Sequence, residues 1–204
     1  MAQARLPIAV LVSGSGSNLQ ALIEATTGPG HAAQIVVVIS DRPGIMALQR
    51  AEAAGIPTEV VPWDADREGC TQRLCAAAAG HGARALVLAG FMRILAPLAV
   101  DRFPGAILNT HPALLPSFPG AHAVPQALAH GVKLTGVTIH FVDEEVDHGP
   151  IIVQETVPVA PDDDERSLSA KIKAVEHRLY PEVVDAFARG ALAVDGRIVR
   201  WEGR

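Results

Sequence analysis

The sequence has few cysteines and no apolar run long enough to cross a membrane. Two cysteines occur in 204 residues, and the spacing from Cys70 to Cys75 fits neither a CxxC redox pair nor a zinc knuckle. We therefore interpret both as packed thiols. The N-terminal stretch MAQARLPIAVLV has one arginine before an apolar run that ends at Ser13, and no signal-type cleavage region follows it. These absences predict a soluble cytoplasmic protein.

An excess of basic residues is also missing. The formal net charge is −5, whereas nucleic-acid binding depends mostly on clustered Lys and Arg, so the charge argues against a nucleic-acid partner. Charged residues make up 19% of the chain and hydrophobic residues 49%, which is typical of a buried parallel sheet covered by helices. No linker, repeat or low-complexity segment is evident. We predict a single domain over residues 1–204 that acts on small molecules.

Strand-like runs rich in Val and Ile alternate with Ala- and Leu-rich stretches of helical length. The runs are Ile8–Val12, Gln34–Ile39, Thr58–Val61, Ala85–Ala89 and Ala106–Leu108. This alternation predicts βαβ units, and hence an α/β fold with an open, mostly parallel, Rossmann-like sheet and flanking helices. Ligands of such sheets bind beyond the carboxyl ends of the strands, which is where we expect the site.

The second half of the chain has a different pattern. Two longer strand candidates, Lys133–Val142 and Pro150–Val157, flank the acidic loop Asp143–Gly149 and predict a hairpin-like addition to the sheet. A long helix is predicted to begin near Asp162–Glu165, whose carboxylates suit a helix N-terminus better than a metal site, and to end at Gly190. Its predicted buried stripe consists of Leu168, Ile172, Val175, Leu179, Val183 and Phe187.

A glycine loop, SGSGSNLQ, follows the first strand. Glycines let the backbone approach an anion, and the N–H groups of the following helix point at it. Asp41, at the end of the second strand, is placed like a ribose-binding acid, but Leu19 replaces the third glycine of a dinucleotide fingerprint and the P-loop lysine is missing. With Ser15, Ser17 and Asn18 as polar donors, the loop predicts a terminal-phosphate site. The alternatives are a nicotinamide cofactor or a turn that only packs strand against helix.

The segment NTHPALLPSFPG carries the second chemical signal. Asn109 and His111 lie two residues apart on an extended segment, so both side chains project to one side, and the prolines that follow stiffen the chain. Asp147, in the loop VDHGPII, could orient the imidazole and stabilise its cationic form. No Ser or Cys stands in a nucleophile elbow, so the trio predicts proton handling and oxyanion binding during direct transfer. A structural His111, or a metal pair with His122, stays open.

Five motifs in order carry a resemblance that covers nearly the whole chain: VLVSGSGSNLQAL, LVLAGFMRIL, ILNTHPALLPSFPGAHA, GVTIHFVDEEVDHGPII and KAVEHRLYP. With them the chain resembles the glycinamide ribonucleotide transformylases, the folate-dependent phosphoribosylglycinamide formyltransferases of purine biosynthesis. The resemblance implies the formyltransferase fold and a reaction without a metal. In it the amine of glycinamide ribonucleotide takes the formyl group of 10-formyltetrahydrofolate through a tetrahedral intermediate. It also implies that the N-terminal half binds the ribonucleotide and the C-terminal half the folate, with the active site between them, in a monomer or homodimer.

The resemblance also implies residue roles. Asn109 and His111 stabilise the oxyanion, and Asp147 holds the charged imidazole and helps to move protons to the leaving N10. The residues implied for the ribonucleotide are Gly14, Ser15, Gly16, Ser17, Asn18, Met92, Pro112, Lys173 and Glu176. Those implied for the folate are Arg67, Arg93, Ile94, Leu95, Ile107, Asn109, Val142, Asp143 and Asp147.

Simpler interpretations stand beside these roles. Met92, Ile94 and Leu95 could be core residues, and Lys173 with Glu176 could form a surface ion pair on a helix. His122, His140, His148 and His177 could each be structural, and His148 stands where many relatives carry glycine.

Three other functions share some of these features. Methionyl-tRNA formyltransferase has related Asn-x-His and Asp elements, but we expect a further C-terminal domain and a basic face in such an enzyme. A formyltetrahydrofolate hydrolase would carry an extra N-terminal domain. A non-catalytic nucleotide-binding module would need the glycine loop alone, which leaves the trio unexplained.

Overall fold

In the computed structural model, which describes residues 4–203, a nine-stranded sheet runs through the molecule. Residues 1–3 and 204, which the predicted single domain includes, lie outside the described residues. Five parallel strands form one half of the sheet: β1 (Leu6–Val12), β2 (Ala33–Ser40), β3 (Thr58–Val60), β4 (Ala85–Leu88) and β5 (Ile107–His111). Their spatial order is β3-β2-β1-β4-β5. The predicted open, mostly parallel α/β sheet is confirmed.

Helices cover both faces of this sheet. They are α1 (Ser17–Thr27), α2 (Met46–Ala53), α3 (Arg67–Gly80), α4 (Leu98–Arg102), α5 (Ala123–Ala129) and α6 (Glu165–Ala188). Side chains of α1, α2 and α6 pack with one face of the sheet, and side chains of α3 and α4 pack with the other. Cys70 and Cys75 are unpaired and buried in α3, as predicted, and burial raises the pKa of Cys75 to about 11.

Two antiparallel strands, β6 (Leu134–Phe141) and β7 (Ile151–Pro158), extend the sheet beside β5, which confirms the predicted hairpin. The predicted end of β5 at Leu108 was wrong. The strand continues to His111 because β6 pairs with it as far as Thr138. A second hairpin, β8 (Leu192–Asp195) and β9 (Ile198–Trp201), was not predicted, and β9 joins the edge of β7. Its strands are short and half exposed, so they lack a hydrophobic pattern that sequence reasoning can detect.

The acidic cluster before α6 serves the start of that helix, as predicted. Asp164 accepts a hydrogen bond from Ser167 N at 2.7 Å, and Ser167 Oγ accepts one from Asp164 N at 3.0 Å, which completes a capping box. Hydrogen bonds with Lys171, Ala160 N and Ser167 lower the pKa of Asp163 to about 2. Of the predicted stripe, Leu168, Ile172, Leu179 and Val183 are buried, and Val175 and Phe187 pack partly buried against the same core. Gly190, at φ +72°, follows the last turn as predicted.

Two negative findings apply to residues 4–203. In that range no group of three or more His, Cys, Asp or Glu side chains is arranged to hold a metal ion. None of its helices has the length and apolar character needed to cross a membrane.

Candidate active site

The predicted trio of Asn109, His111 and Asp147 comes together where β5 ends. Because β5 is extended, Asn109 and His111 project from the same face of the sheet. The loop between β6 and β7 brings Asp147 back to them. Its Oδ2 lies 3.3 Å from His111 Nδ1, and its Oδ1 accepts a hydrogen bond from Asn109 Nδ2 at 3.4 Å. The side chains of His111 and Asp147 are only 5% and 9% exposed, so the group is largely shielded from bulk water.

The segment after His111 folds back onto the imidazole ring. His111 Nε2 lies 2.8 Å from the carbonyl oxygen of Phe118, so both ring nitrogens face oxygen acceptors and an imidazolium could donate to both. Thr138 on β6 anchors this segment, since its Oγ accepts from Leu115 N at 3.0 Å and donates to Ala113 O at 2.7 Å. The stiff proline-containing segment thus fixes the orientation of the ring.

His140 joins the trio, although sequence reasoning treated it as a possible structural residue. The pairing of β5 with β6 sets it opposite Asn109, whose Nδ2 lies 3.2 Å from His140 Nε2. His140 Nε2 is also 3.7 Å from Asp147 Oδ1, and its Nδ1 lies 2.8 Å from Phe141 O. The ring is 1% exposed. Only the strand register reveals this contact, and no local motif predicts the register.

Asp147 occupies an unusual backbone conformation. Its φ of +52° lies in the left-handed region, which costs of order 1–3 kcal/mol for a residue other than glycine. Gly120 N donates to its Oδ2 at 2.7 Å. Burial alone would raise the pKa of Asp147, but the hydrogen bond with His140, the charge of His111 and the Gly120 N–H outweigh burial and lower it. The carboxylate is therefore ionised at neutral pH.

The glycine loop presents its N–H groups because α2 binds its carbonyl groups. Ala47 N donates to Gly14 O at 3.2 Å, and Arg50 Nε donates to Ser15 O at 3.0 Å. Gly16 has φ +72°, and a Cβ there would lie 2.7 Å from the Cβ of Ala47. The first N–H groups of α1 have no partner inside the helix and are available to an anion.

A cavity of about 320 Å³ opens beside this loop. Every residue predicted for the ribonucleotide lines it: Gly14, Ser15, Gly16, Ser17, Asn18, Met92, Pro112, Lys173 and Glu176. Thr110 and Ser169 also line it, and sequence reasoning missed both. Met92 is 69% exposed and Glu176 is 6% exposed, so neither the core interpretation of Met92 nor the surface ion pair of Glu176 holds.

Four of the residues predicted for the folate lie at the start of α3 and in the loop after β4. Arg67, at the start of α3, donates a hydrogen bond to Leu95 O. Ile94 is 54% exposed, which is not the burial expected of a core residue, and Leu95 is half-buried.

Arg93 Nε lies 2.7 Å from Asp41 Oδ2, and the Asp41 side chain is fully buried. Burial would raise the pKa of Asp41, but its bonds with Arg42 and Arg93 outweigh burial and lower it. Asp41 is therefore paired with arginines and is not presented as a ribose-binding acid.

Three further folate predictions fall on β5 and on the loop after β6. Ile107 is 1% exposed and packs in the core with α3 and α4, so its side chain is almost inaccessible to a ligand. Val142 is half-buried and packs against the same core. Asp143 Oδ2 lies 2.7 Å from His148 Nδ1, and Arg197, in the turn between β8 and β9, donates to the carbonyl oxygen of His148. The unpredicted hairpin thus contacts the loop that carries Asp147.

Comparisons with known proteins identify the family. The family model of the formyl transferases matches residues 6–184. The phosphoribosylglycinamide formyltransferase of Mycobacterium tuberculosis is 46% identical over 93% of this chain and 88% of its own length. The crystal structure of glycinamide ribonucleotide transformylase 1 from Symbiobacterium toebii superposes with a TM-score of 0.92 at 42% identity, covering 97% of this chain and 94% of that one.

Other relatives are much longer. The trifunctional purine biosynthetic protein adenosine-3 of Drosophila melanogaster is 44% identical over 97% of this chain, but the match spans only 15% of that protein. The family match, the near full-length relative and the superposition all confirm the resemblance found in the sequence. The chain therefore belongs to the formyl transferase family, and within it to the phosphoribosylglycinamide formyltransferases.

Proposed function

We propose that the chain transfers the formyl group of 10-formyltetrahydrofolate to the amine of glycinamide ribonucleotide, giving formylglycinamide ribonucleotide and tetrahydrofolate. One observation carries the proposal. All the residues expected to bind the ribonucleotide line one cavity, and that cavity reaches Pro112, the residue directly after His111. A phosphate at the glycine loop would then direct the rest of the acceptor towards the trio.

The proposed chemistry is a direct transfer. The amine nitrogen attacks the formyl carbon, and the carbonyl oxygen becomes an oxyanion. In the proposed step, Asn109 Nδ2 and a protonated His111 donate hydrogen bonds to that oxygen, and His111 Nε2 exchanges its contact with Phe118 O for it. A donor of this kind contributes about 10²–10³ in rate. The amine loses a proton, N10 of the folate gains one, and the bond between the formyl carbon and N10 breaks.

Asp147 would support both steps. Its lowered pKa means that it remains a carboxylate when the reaction begins, so it stabilises a positive charge on His111 across 3.3 Å. In this proposal Asp147 also helps to move a proton from the amine, through a water molecule, to N10. The left-handed backbone at Asp147 fits a residue that is held for function at some cost in stability.

The two halves of the chain would divide the substrates. In our proposal residues 1–204 act as one domain, with the ribonucleotide phosphate in the N-terminal half and the folate along Arg93–Leu95 and the loop after β6. Both substrates are small molecules. All the proposed residues come from one copy of the chain, and we propose that a monomer or a homodimer carries the reaction. Two unpaired cysteines fit the reducing cytoplasm that we propose as its compartment.

The test is a steady-state assay of the purified chain with 10-formyltetrahydrofolate, in which tetrahydrofolate release is followed with and without glycinamide ribonucleotide. Release that depends on the ribonucleotide is the expected result. Equal release without it would show that water is the acceptor, and release only with methionyl-tRNA would show a tRNA acceptor. No release with any of them would refute the enzyme assignment and leave a nucleotide-binding module. An Asp147→Asn variant, purified in parallel, shows whether the measured release comes from this site.

A further inference from the structure

The middle residue of the Asn109–His111 motif faces away from the trio. Alternate residues of a strand project from opposite sides, so Thr110 faces α6 and lines the ribonucleotide cavity. Its Oγ donates a hydrogen bond of 2.9 Å to Oε1 of Glu176. Thr110 is 9% exposed and Glu176 is 6% exposed, so bulk water cannot readily replace this contact.

Glu176 is held at its other oxygen too. Asn18 Nδ2, on α1, donates to Glu176 Oε2 at 3.1 Å. The three residues come from β5, α1 and α6, and all of them line the same cavity. Within residues 4–203, the buried Oδ1 of Asn18 has no hydrogen-bond partner. A carboxylate whose oxygens keep spare lone pairs therefore lies beside an unpartnered amide oxygen, and both can accept hydrogen bonds from a ligand.

We propose that Thr110 is a positioning residue for the ribonucleotide. Its hydroxyl fixes the plane of the Glu176 carboxylate so that this group and Asn18 Oδ1 accept hydrogen bonds from the ribose hydroxyls. The inference rests on the proposed function, since it takes glycinamide ribonucleotide as the ligand. A hydroxyl that donates to an ionised carboxylate makes a stronger bond than a neutral pair does. Without it the buried carboxylate loses one donor and is free to turn away from the ligand.

Isosteric substitution separates the effect of the Thr110 hydroxyl from the effect of the side-chain shape. Thr110→Val should raise the KM for the ribonucleotide about tenfold, equivalent to about 1.4 kcal/mol, and leave kcat and the KM for the folate within about twofold of wild type. Thr110→Ser keeps the hydroxyl and should restore the KM to within about twofold. Thr135→Val is the matched control, because Thr135 is also buried and its hydroxyl has no partner among the described residues. That variant should leave all three constants unchanged.

A double-mutant cycle tests whether Thr110 acts through Glu176. In a Glu176→Ala background, Thr110→Val should change the ribonucleotide KM by less than about twofold. A full tenfold effect in that background would overturn the positioning role, because Thr110 would then act on the ligand directly. An unchanged KM in Thr110→Val, or a Thr110→Ser variant as impaired as Thr110→Val, would also overturn it.

Different results would refute the proposed function and the role of Thr110. Wild-type protein that releases no tetrahydrofolate in response to the ribonucleotide would refute the proposed function. Wild-type protein that is active, with a Thr110→Val variant of normal KM, would refute this inference alone. Circular dichroism establishes that each variant is folded, and Thr110→Ala replaces Thr110→Val if the valine variant does not fold.

Discussion

Gly16→Ala tests whether the backbone conformation of the glycine loop is a structural requirement. Gly16 has φ +72°, a conformation that costs an alanine about 1–2 kcal/mol. The new Cβ would also lie 2.7 Å from Ala47 Cβ and 2.8 Å from Ala47 Cα, both on α2. Relieving such overlap costs about 1–3 kcal/mol, so we expect the free energy of unfolding to fall by about 2–5 kcal/mol.

Urea unfolding measures that loss, and Gly14→Ala is the matched control. A Cβ at Gly14 meets no atom within 4 Å, and its φ lies outside the range that disfavours L side chains. We therefore expect a change within about 0.5 kcal/mol for Gly14→Ala. The loop must also move to relieve the contact with α2, so Gly16→Ala should raise the KM for the ribonucleotide at least about tenfold, or abolish detectable turnover.

The reasoning is refuted if Gly16→Ala unfolds at the same urea concentration as wild type. Equal destabilisation by both alanine variants would show that the loop is sensitive to any side chain, and that the contact with α2 has no special role. A destabilised Gly16→Ala protein with a normal ribonucleotide KM would show that the loop conformation is needed for stability but not for phosphate binding.

Three further predictions concern the trio, its ionisation and the loop. Asp147→Asn should lower turnover about 10²-fold or more, because the charge facing His111 is lost, and near-normal turnover would contradict its role. The lowered pKa of Asp147 gives a pH dependence of defined sign. Its stabilising contribution is complete above the ordinary pKa of about 3.9 and is lost as the pH falls through the lowered value. When the free energy of unfolding is measured at decreasing pH, the difference by which wild type exceeds Asp147→Asn should therefore shrink below about pH 4. A difference that grows there would contradict the lowered pKa of Asp147. Ser17→Asp should raise the KM for the ribonucleotide more than that for the folate, because its charge repels a phosphate, and equal increases would argue against the phosphate site.

A fourth prediction concerns the contact between the C-terminal hairpin and the loop that carries Asp147. Arg197 donates to the carbonyl oxygen of His148, and the His148 ring lies 2.7 Å from Asp143. Arg197→Ala should raise the KM for the folate about threefold and leave that for the ribonucleotide unchanged, because the exposed contacts of Arg197 with His148 are lost. Arg200→Ala, on the neighbouring strand, is the control: Arg200 pairs with Asp195 inside the hairpin. Equal effects of both variants would show a general loosening of the hairpin.

The sequence predicted most of the architecture because its hydrophobic pattern is strong. Central parallel strands are buried on both faces, so they are continuous apolar runs, and α6 has an apolar stripe that ends at a glycine. The hairpin of β8 and β9 lacked this signal, because its residues are mostly exposed. The end of β5 was misjudged for another reason: NTH is polar, and although Asn109 still pairs with Leu88 of β4, Thr110 and His111 stay in the sheet through pairing with β6.

The order of the motifs and their residue types were enough to predict the family, the trio and the glycine loop. A short motif fixes which chemical groups are present and, in a strand, which of them share a side. The sequence cannot specify contacts between residues that are far apart in the chain. Only the tertiary structure set His140 beside Asn109, held Glu176 between Thr110 and Asn18, and buried Ile107 in the core. These contacts depend on strand register and on how helices pack across the sheet, and many residues distant in sequence decide both.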